Sequence, residues 1–140
     1  MLTLTAVSSS AVVATGATGS ATPTGWLVGN ASYWDPNHAV FTLTQQLQQL
    51  PRYQFKMQFT SAEFAAITAA MTPPASPTSA QVTLAQELSF FFEILNDTAL
   101  LTIDLTSAFT IQGVELLESS GLIATGRADT VLAGVQISIT

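Results

Sequence analysis

Short runs in which apolar and polar residues alternate constrain the fold of this chain more than any other feature. The clearest run spans residues 52–60, where large apolar side chains occupy every second position: Tyr53, Phe55, Met57 and Phe59. A period of two places such residues on one face of a β-strand and the intervening polar residues on the other. We therefore predict a half-buried strand here, in an antiparallel sheet.

Shorter runs of the same kind recur along the chain, separated by Gly, Ser and Pro, which interrupt strands and form turns. The other predicted strands are 2–6, 39–47, 88–95, 100–106, 109–112, 114–117, 122–125 and 135–139. Short strands at this spacing are typical of an antiparallel β-sandwich or a strongly twisted sheet.

Residues 82–95 admit two interpretations. The last eight alternate and contain three consecutive phenylalanines, and a turn at Asn96-Asp97 follows, which favours a β-hairpin of 88–95 with 100–106. The spacing of other apolar residues suits a helix instead: Val82, Leu84, Leu88, Phe91 and Leu95. We predict the hairpin and leave the helix as the alternative.

One helix is predicted, over about 61–71. Thr60 and Glu63 have the spacing of a capping box, in which each side chain binds the other residue's backbone amide. Apolar residues then follow at helical spacing: Phe64, Ile67 and Met71. The Pro73-Pro74 pair ends the helix, because proline cannot continue the backbone ladder.

The predicted fold class is therefore mainly β, with one short α-helix and an extended N-terminal arm. Residues 1–25 form the arm, because they contain Ala, Thr, Ser, Gly and Pro with no charged side chain. Either this arm is a flexible terminus, or it places its strand, with Leu2 and Leu4, on the sheet edge of another subunit. Residues 26–140 form a single β-rich domain.

Few side chains in this sequence are of the types that catalyse reactions or bind metals. The single histidine, His38, follows the Asp35-Pro36-Asn37 turn, and we interpret it as a loop residue that bonds to that turn. The absence of cysteine excludes disulfides and thiolate metal sites. We predict no catalytic residue, no metal and no cofactor.

The carboxylates are interpreted as solvated charges. Glu115 and Glu118, and likewise Glu93 and Asp97, are close in sequence, but an acid–base pair also needs a cleft. Asp104 lies inside a predicted strand, on its polar face. We expect its partner to be Lys56 or Arg127.

The charge balance excludes some partners. Three basic side chains against nine acidic ones give a net charge of −6, and only 9% of residues are charged. Affinity for nucleic acid depends on Lys and Arg contacts to phosphates, so we predict no nucleic-acid binding. No apolar run approaches the length of a membrane span, and we predict no membrane association and no leader segment.

Two groups of residues are candidates for contacts with other molecules. Trp26, Tyr33 and Trp34 either form a surface for a ligand or protein, or close one end of the sandwich. Leu2 and Leu4 are the candidate contacts of the arm.

These features predict a structural, self-assembling protein and no enzyme. A charge-poor surface suits a chain packed against other copies. The expected setting is a virus or phage particle, as a capsid decoration, minor coat or tail protein, with further copies and other structural proteins as partners. The alternative is a secreted or surface binding module that recognises carbohydrate or protein through the aromatic loop.

Overall fold

Helices occupy more of this chain than the sequence pattern predicts. The computed structural model describes residues 1–140 and is mixed, with 29% strand in three sheets and 37% helix in five helices. The prediction of a mainly β fold is therefore confirmed only in part, and the arrangement is not clearly a sandwich. No helix combines the length and the apolar character required to cross a membrane.

The elements follow one another without a long break. The strands are β1 (Leu2–Ala6), β2 (Val12–Gly16), β3 (Gly19–Thr22), β4 (Gly25–Val28), β5 (Ala31–Trp34), β6 (Phe41–Leu47), β7 (Gln49–Pro51), β8 (Thr102–Asp104) and β9 (Val135–Ile139). The helices are α1 (Arg52–Lys56), α2 (Ser61–Met71), α3 (Ser79–Leu95), α4 (Ala108–Ser119) and α5 (Arg127–Ala133).

The chain divides into two compact units. Residues 1–47 and 135–140 form an all-strand unit, here called the β unit, and residues 48–134 form the helical unit. The β unit contains a four-stranded antiparallel sheet, β2-β1-β6-β9, and a three-stranded one, β3-β4-β5. The predicted boundary after residue 25 therefore falls inside the β unit.

The β unit is built around alternating apolar residues of β1 and β6. Leu4 lies opposite Leu43 in the sheet register, and both side chains are fully buried. The buried cluster of the unit is Leu2, Leu4, Trp26, Val28 and Leu43. The predicted strands 39–47 and 135–139 correspond to β6 and β9, which pair with each other.

The predicted N-terminal arm is absent from the structure. β1 has a strand neighbour on both sides, and Leu2 and Leu4 are only 6% and 0% exposed. The later part of the predicted arm contains β2 and β3. Its small residues are compatible with tight antiparallel pairing.

The strand predicted for residues 52–60 is wrong. α1 and the turn after it bury Phe55 and Phe59, which are 0% and 7% exposed, while Tyr53 and Met57 are 67% and 75% exposed. Residues four apart share a helix face, whereas residues two apart lie on nearly opposite sides. An alternation of four apolar residues is therefore equally consistent with two helical pairs on opposite faces.

The predicted hairpin of 88–95 with 100–106 is also wrong. α3 extends to Leu95 and buries one helical stripe, namely Ala85, Leu88, Phe91, Phe92 and Leu95. Its N-terminus has a capping box between Thr78 and Gln81, whose side chains each bind the other residue's amide. The short strand β8 pairs with β7.

The late part of the helical unit contains no strand. The strands predicted for 109–112 and 114–117 are both within α4, which begins after the N-cap Ser107, and 122–125 is irregular. Gly113 allows α4 to approach α3, since a Cβ at this position would lie 2.1 Å from the Phe91 ring.

The helix predicted over 61–71 is confirmed as α2. The Thr60 hydroxyl accepts a hydrogen bond from the Glu63 amide, and the Glu63 carboxylate accepts one from the Thr60 amide. The helix ends at Met71, two residues before the first proline of the Pro73-Pro74 pair.

Candidate functional site

A buried carboxylate organises one corner of the β unit. Asp35 follows β5 and is 1% exposed. Its Oδ2 accepts hydrogen bonds from the Trp26 indole Nε1 at 3.1 Å and from the amides of Val40 and Phe41 at 3.1 and 3.0 Å. Its Oδ1 accepts one from the Ala39 amide at 2.9 Å. One side chain thus ties β4 to the loop that enters β6.

These hydrogen bonds keep Asp35 ionised. Burial alone disfavours the charged form, but the donors at Phe41, Ala39, Trp26 and Val40 outweigh it and lower the pKa of Asp35 to about 2. The negative charge is therefore present throughout the neutral pH range and is fully engaged in hydrogen bonds.

His38 binds the turn between β3 and β4. Its Nε2 lies 3.0 Å from the carbonyl oxygens of both Thr22 and Gly25. Because both partners accept, Nε2 carries the hydrogen. The imidazole also meets the Trp26 ring edge to face, with 4.8 Å between ring centroids. The His38 amide also donates a hydrogen bond to the Asp35 carbonyl oxygen at 2.9 Å, so His38 bonds to the Asp35-Pro36-Asn37 turn as predicted, and its imidazole holds a second turn.

A cavity of about 290 Å³ opens beside this corner. Its lining is mainly apolar and aromatic, with Trp26, Phe41 and Ile139 alongside His38. Thr42 and Ser138 also line the cavity. Its size and lining suit a small, mostly apolar group.

The structure keeps Trp26 and Tyr33 together as cross-strand partners and leaves Trp34 exposed to solvent. Trp26 is 4% exposed, and Tyr33 is half-buried with its ring 6.3 Å from that of Phe41. Trp34 is 73% exposed. Of the three aromatic candidates, only Trp34 therefore offers a free ring face. Leu2 and Leu4, the candidate contacts of the arm, are core residues and offer no surface.

Charge is divided very unequally between the two units. The chain has three basic and nine acidic side chains, and only Asp35 among them lies in the β unit. Because Asp35 is buried, the surface of the β unit carries no charged Asp, Glu, Lys or Arg side chain. The other eleven belong to the helical unit.

The β unit also has edge strands that lack charge and proline, although the register of β2 against β1 is irregular at Val13. β2 and β9 have a neighbour on one side only, as do β3 and β5 in the smaller sheet. None of these four strands contains a charged residue or a proline. On β2, Val12 and Val13 are 62% and 42% exposed.

In the helical unit, the main ion pair joins Glu63 and Arg127. The Arg127 Nε lies 2.8 Å from Glu63 Oε1, and the Arg127 hydrogen bonds are the largest influence that lowers the pKa of Glu63 to about 2. The predicted partner of Asp104 is wrong. Asp104 accepts hydrogen bonds from the Thr106 hydroxyl and amide instead, which lower its pKa.

The carboxylates that are close in sequence have separate surroundings. Glu118 accepts hydrogen bonds from the amides of Gly126 and Ala128 at the start of α5, whereas Glu115 is exposed. No group of three or more His, Asp or Glu side chains is arranged to hold a metal ion.

Comparisons with protein-family models, with curated proteins and with solved structures give no match to this chain. Its function is therefore argued from its own surfaces. Sequence reasoning missed the division of charge, although the signal is visible: the first charged residue after Asp35 is Arg52.

Proposed function

We propose that this chain is a structural subunit that assembles with further copies of itself through the β unit. The observation that supports this proposal is a surface of some fifty residues without an exposed charge, bordered by edge strands that contain no charged residue and no proline. In this proposal the chain catalyses no reaction and requires no cofactor.

The physical argument concerns what normally keeps sheet edges apart. Edge strands expose unpaired backbone groups, and monomeric proteins blunt them with lysine, proline or bulges that prevent pairing with another chain. β2 contains neither a charge nor a proline, and it exposes two valines, so its register irregularity at Val13 is its single protective feature. Added main-chain hydrogen bonds contribute about 1 kcal/mol each, and apolar contact adds to this.

A charge-free face also lowers the cost of close packing. Two such faces do not repel each other, and no ion loses its hydration on contact. These properties suit a subunit whose working state is an ordered particle. We place this subunit in a virus or phage particle, as a decoration, minor coat or tail protein, with other structural proteins as neighbours.

The test is a charge placed on the proposed edge. We expect wild-type protein to form a defined oligomer when its mass in solution is measured over a range of concentrations. Val12→Lys should reduce that mass, because the added lysine opposes strand pairing while the exposed site leaves the fold intact. Val40→Lys is the control, since Val40 is 54% exposed and lies outside any strand. A wild-type chain that stays monomeric at every concentration would overturn the proposal.

One observation favours a second candidate function. Trp34 is 73% exposed and directly precedes Asp35, whose four hydrogen bonds fix the adjoining loop. A rigidly held, exposed indole can stack on a sugar ring or anchor a protein contact. The chain would then be a secreted or surface binding module.

Retention on a polysaccharide column tests this candidate. Trp34→Ala should abolish retention, whereas Tyr53→Ala should not, because Tyr53 is similarly exposed but belongs to the helical unit. Retention that is unchanged in Trp34→Ala, or absent in the wild-type chain, contradicts a carbohydrate-binding role.

A further inference from the structure

We infer that the helical unit carries two complementary faces, one basic and one acidic, through which copies of this chain contact each other head to tail. This inference rests on the proposed assembly function and names the second interface that such an assembly uses.

The basic face lies on and beside α1. It is defined by Arg52, Tyr53, Lys56, Met57 and Leu101. Three of these side chains are large, apolar and exposed, with 67% for Tyr53, 75% for Met57 and 78% for Leu101. A depression of about 440 Å³ is lined by both cations together with Tyr53 and Leu101. Such a concentration of exposed apolar groups is typical of a contact surface.

The two cations of this face lack an acidic partner within the chain. Arg52 Nη1 donates to the backbone oxygens of Asn96 and Asp97 at 2.8 and 3.1 Å, and Lys56 Nζ donates to Asn96 Oδ1 at 2.6 Å. Only the third cation of the chain, Arg127, forms a salt bridge. The hydrogen bonds thus hold both basic groups in place without neutralising their charge.

The acidic groove runs between α3 and α4. It is defined by Glu87, Phe90, Phe109, Gln112 and Leu116, and it encloses about 300 Å³. Phe90 is 61% exposed, and its ring meets that of Phe109 edge to face at 6.3 Å. The groove therefore offers apolar walls with a carboxylate among the lining residues.

The outer face of α3 extends the negative charge of this groove. Glu93 and Ile94 continue the exposed face that contains Glu87 and Phe90, opposite the buried stripe of the helix. The groove itself depends on Gly113, whose missing side chain leaves room for the Phe91 ring.

The occupant of the groove is the basic face of a second copy. A volume of about 300 Å³ is sufficient for a tyrosine or methionine side chain, and Tyr53 and Met57 project next to Arg52 and Lys56. The helical unit has eight acidic and three basic side chains, so copies repel each other except where such cations meet carboxylates.

The two faces are different surfaces, so their contact is heterologous. A heterologous contact leaves one face free at each end, and repetition produces a ring or an open filament. This geometry is compatible with a particle component, and it is independent of pairing through β2.

Charge reversal tests the complementarity. Lys56→Glu and Glu87→Lys should each weaken association about tenfold or more, as measured by sedimentation at several concentrations. Asp129→Lys is the control, because it changes the charge as much as Glu87→Lys at an exposed position on α5. Thermal melting of each variant separates weakened association from a damaged fold.

Mixing the two reversed variants gives the decisive result. The glutamate at position 56 of one chain should bind the lysine at position 87 of the other, so the mixture should regain the wild-type mass although neither variant does alone. A mixture that stays dissociated, or an Asp129→Lys chain as weak as the other two, overturns the complementarity.

The same variants distinguish a failure of the head-to-tail contact from a failure of the proposed assembly through the β unit. A wild-type chain that is monomeric throughout overturns both. A wild-type oligomer that Val12→Lys disrupts, but that neither Lys56→Glu nor Glu87→Lys weakens, overturns only the head-to-tail contact.

Discussion

The β unit and the helical unit differ in the number of charged side chains on their surfaces. The β unit exposes threonine, serine and valine with no charged side chain, whereas the helical unit carries eleven of the twelve charges of the chain. In the proposed assembly, contacts made by the first would depend on backbone groups and shape, and contacts made by the second would depend on ionic partners. A charge-poor chain is thus better described as one neutral unit and one acidic unit than by its average composition.

The largest expected effect concerns the helical unit and its first helix. Phe55→Ala should reduce the free energy of unfolding by about 3–5 kcal/mol, because it empties a fully buried aromatic site. Tyr53→Ala should change it by about 0.5 kcal/mol or less at a concentration where the chain is dissociated, since that ring is exposed in the single chain. Denaturant titration of both variants measures the difference.

Equal losses in the two variants would mean that these residues share one buried face. The strand predicted from the sequence would then describe residues 52–60 better than α1 does.

A somewhat smaller effect is expected in the β unit. Leu4→Ala should reduce the free energy of unfolding by about 2–5 kcal/mol, because the Leu4 side chain is fully buried and its strand, β1, lies between β2 and β6. Val12→Ala, at an exposed site of the same sheet, should cost about 0.5 kcal/mol or less. Thermal unfolding that is unaffected by Leu4→Ala would restore the interpretation of the N-terminus as a separate arm.

The smallest expected effect is a loss of stability that appears only at acidic pH. It involves one carboxylate from each unit. The folded-state pKa values of Asp35 and Glu63 are both lowered to about 2, so each group stabilises the folded chain above its unfolded pKa of about 4. That stabilisation is lost as the pH falls from about 4 to about 2. Melting temperatures of wild-type protein should therefore decrease across this window.

Two amide variants assign the loss to its source. Asp35→Asn and Glu63→Gln should each melt lower than wild type at pH 7 and show a shallower decrease between pH 4 and pH 2. A decrease as steep as that of wild type in both variants would show that other carboxylates are responsible.

Sequence reasoning succeeded where local signals agreed with the tertiary environment. β1 and β6 were predicted because their alternating residues include the buried Leu2, Leu4 and Leu43, whereas β9 was predicted from alternation alone and has no buried residue. α2 was predicted because Thr60 and Glu63, three positions apart, form a purely local cap, and because two prolines follow the helix. These elements needed no long-range information.

The failures arose where one pattern fits two structures. The apolar residues of 52–60 alternate, yet they divide into two pairs on opposite sides of α1. The phenylalanines of α3 suggested a strand, although Thr78 and Gln81 give a capping box that marks the start of a helix. The role of Asp35 depends on donors from Trp26 and residues 39–41, which only the folded chain brings together.

The pairing of Leu47 with Val135 has a consequence for how the chain acquires its fold. These two residues are adjacent in one sheet, yet the whole helical unit separates them along the chain. β9 can join β6 only after that loop is closed, which is an entropic cost and raises the contact order of the β unit. The helical unit is consequently an insertion between two neighbouring strands, and a change in its length would add little to the entropic cost of joining them.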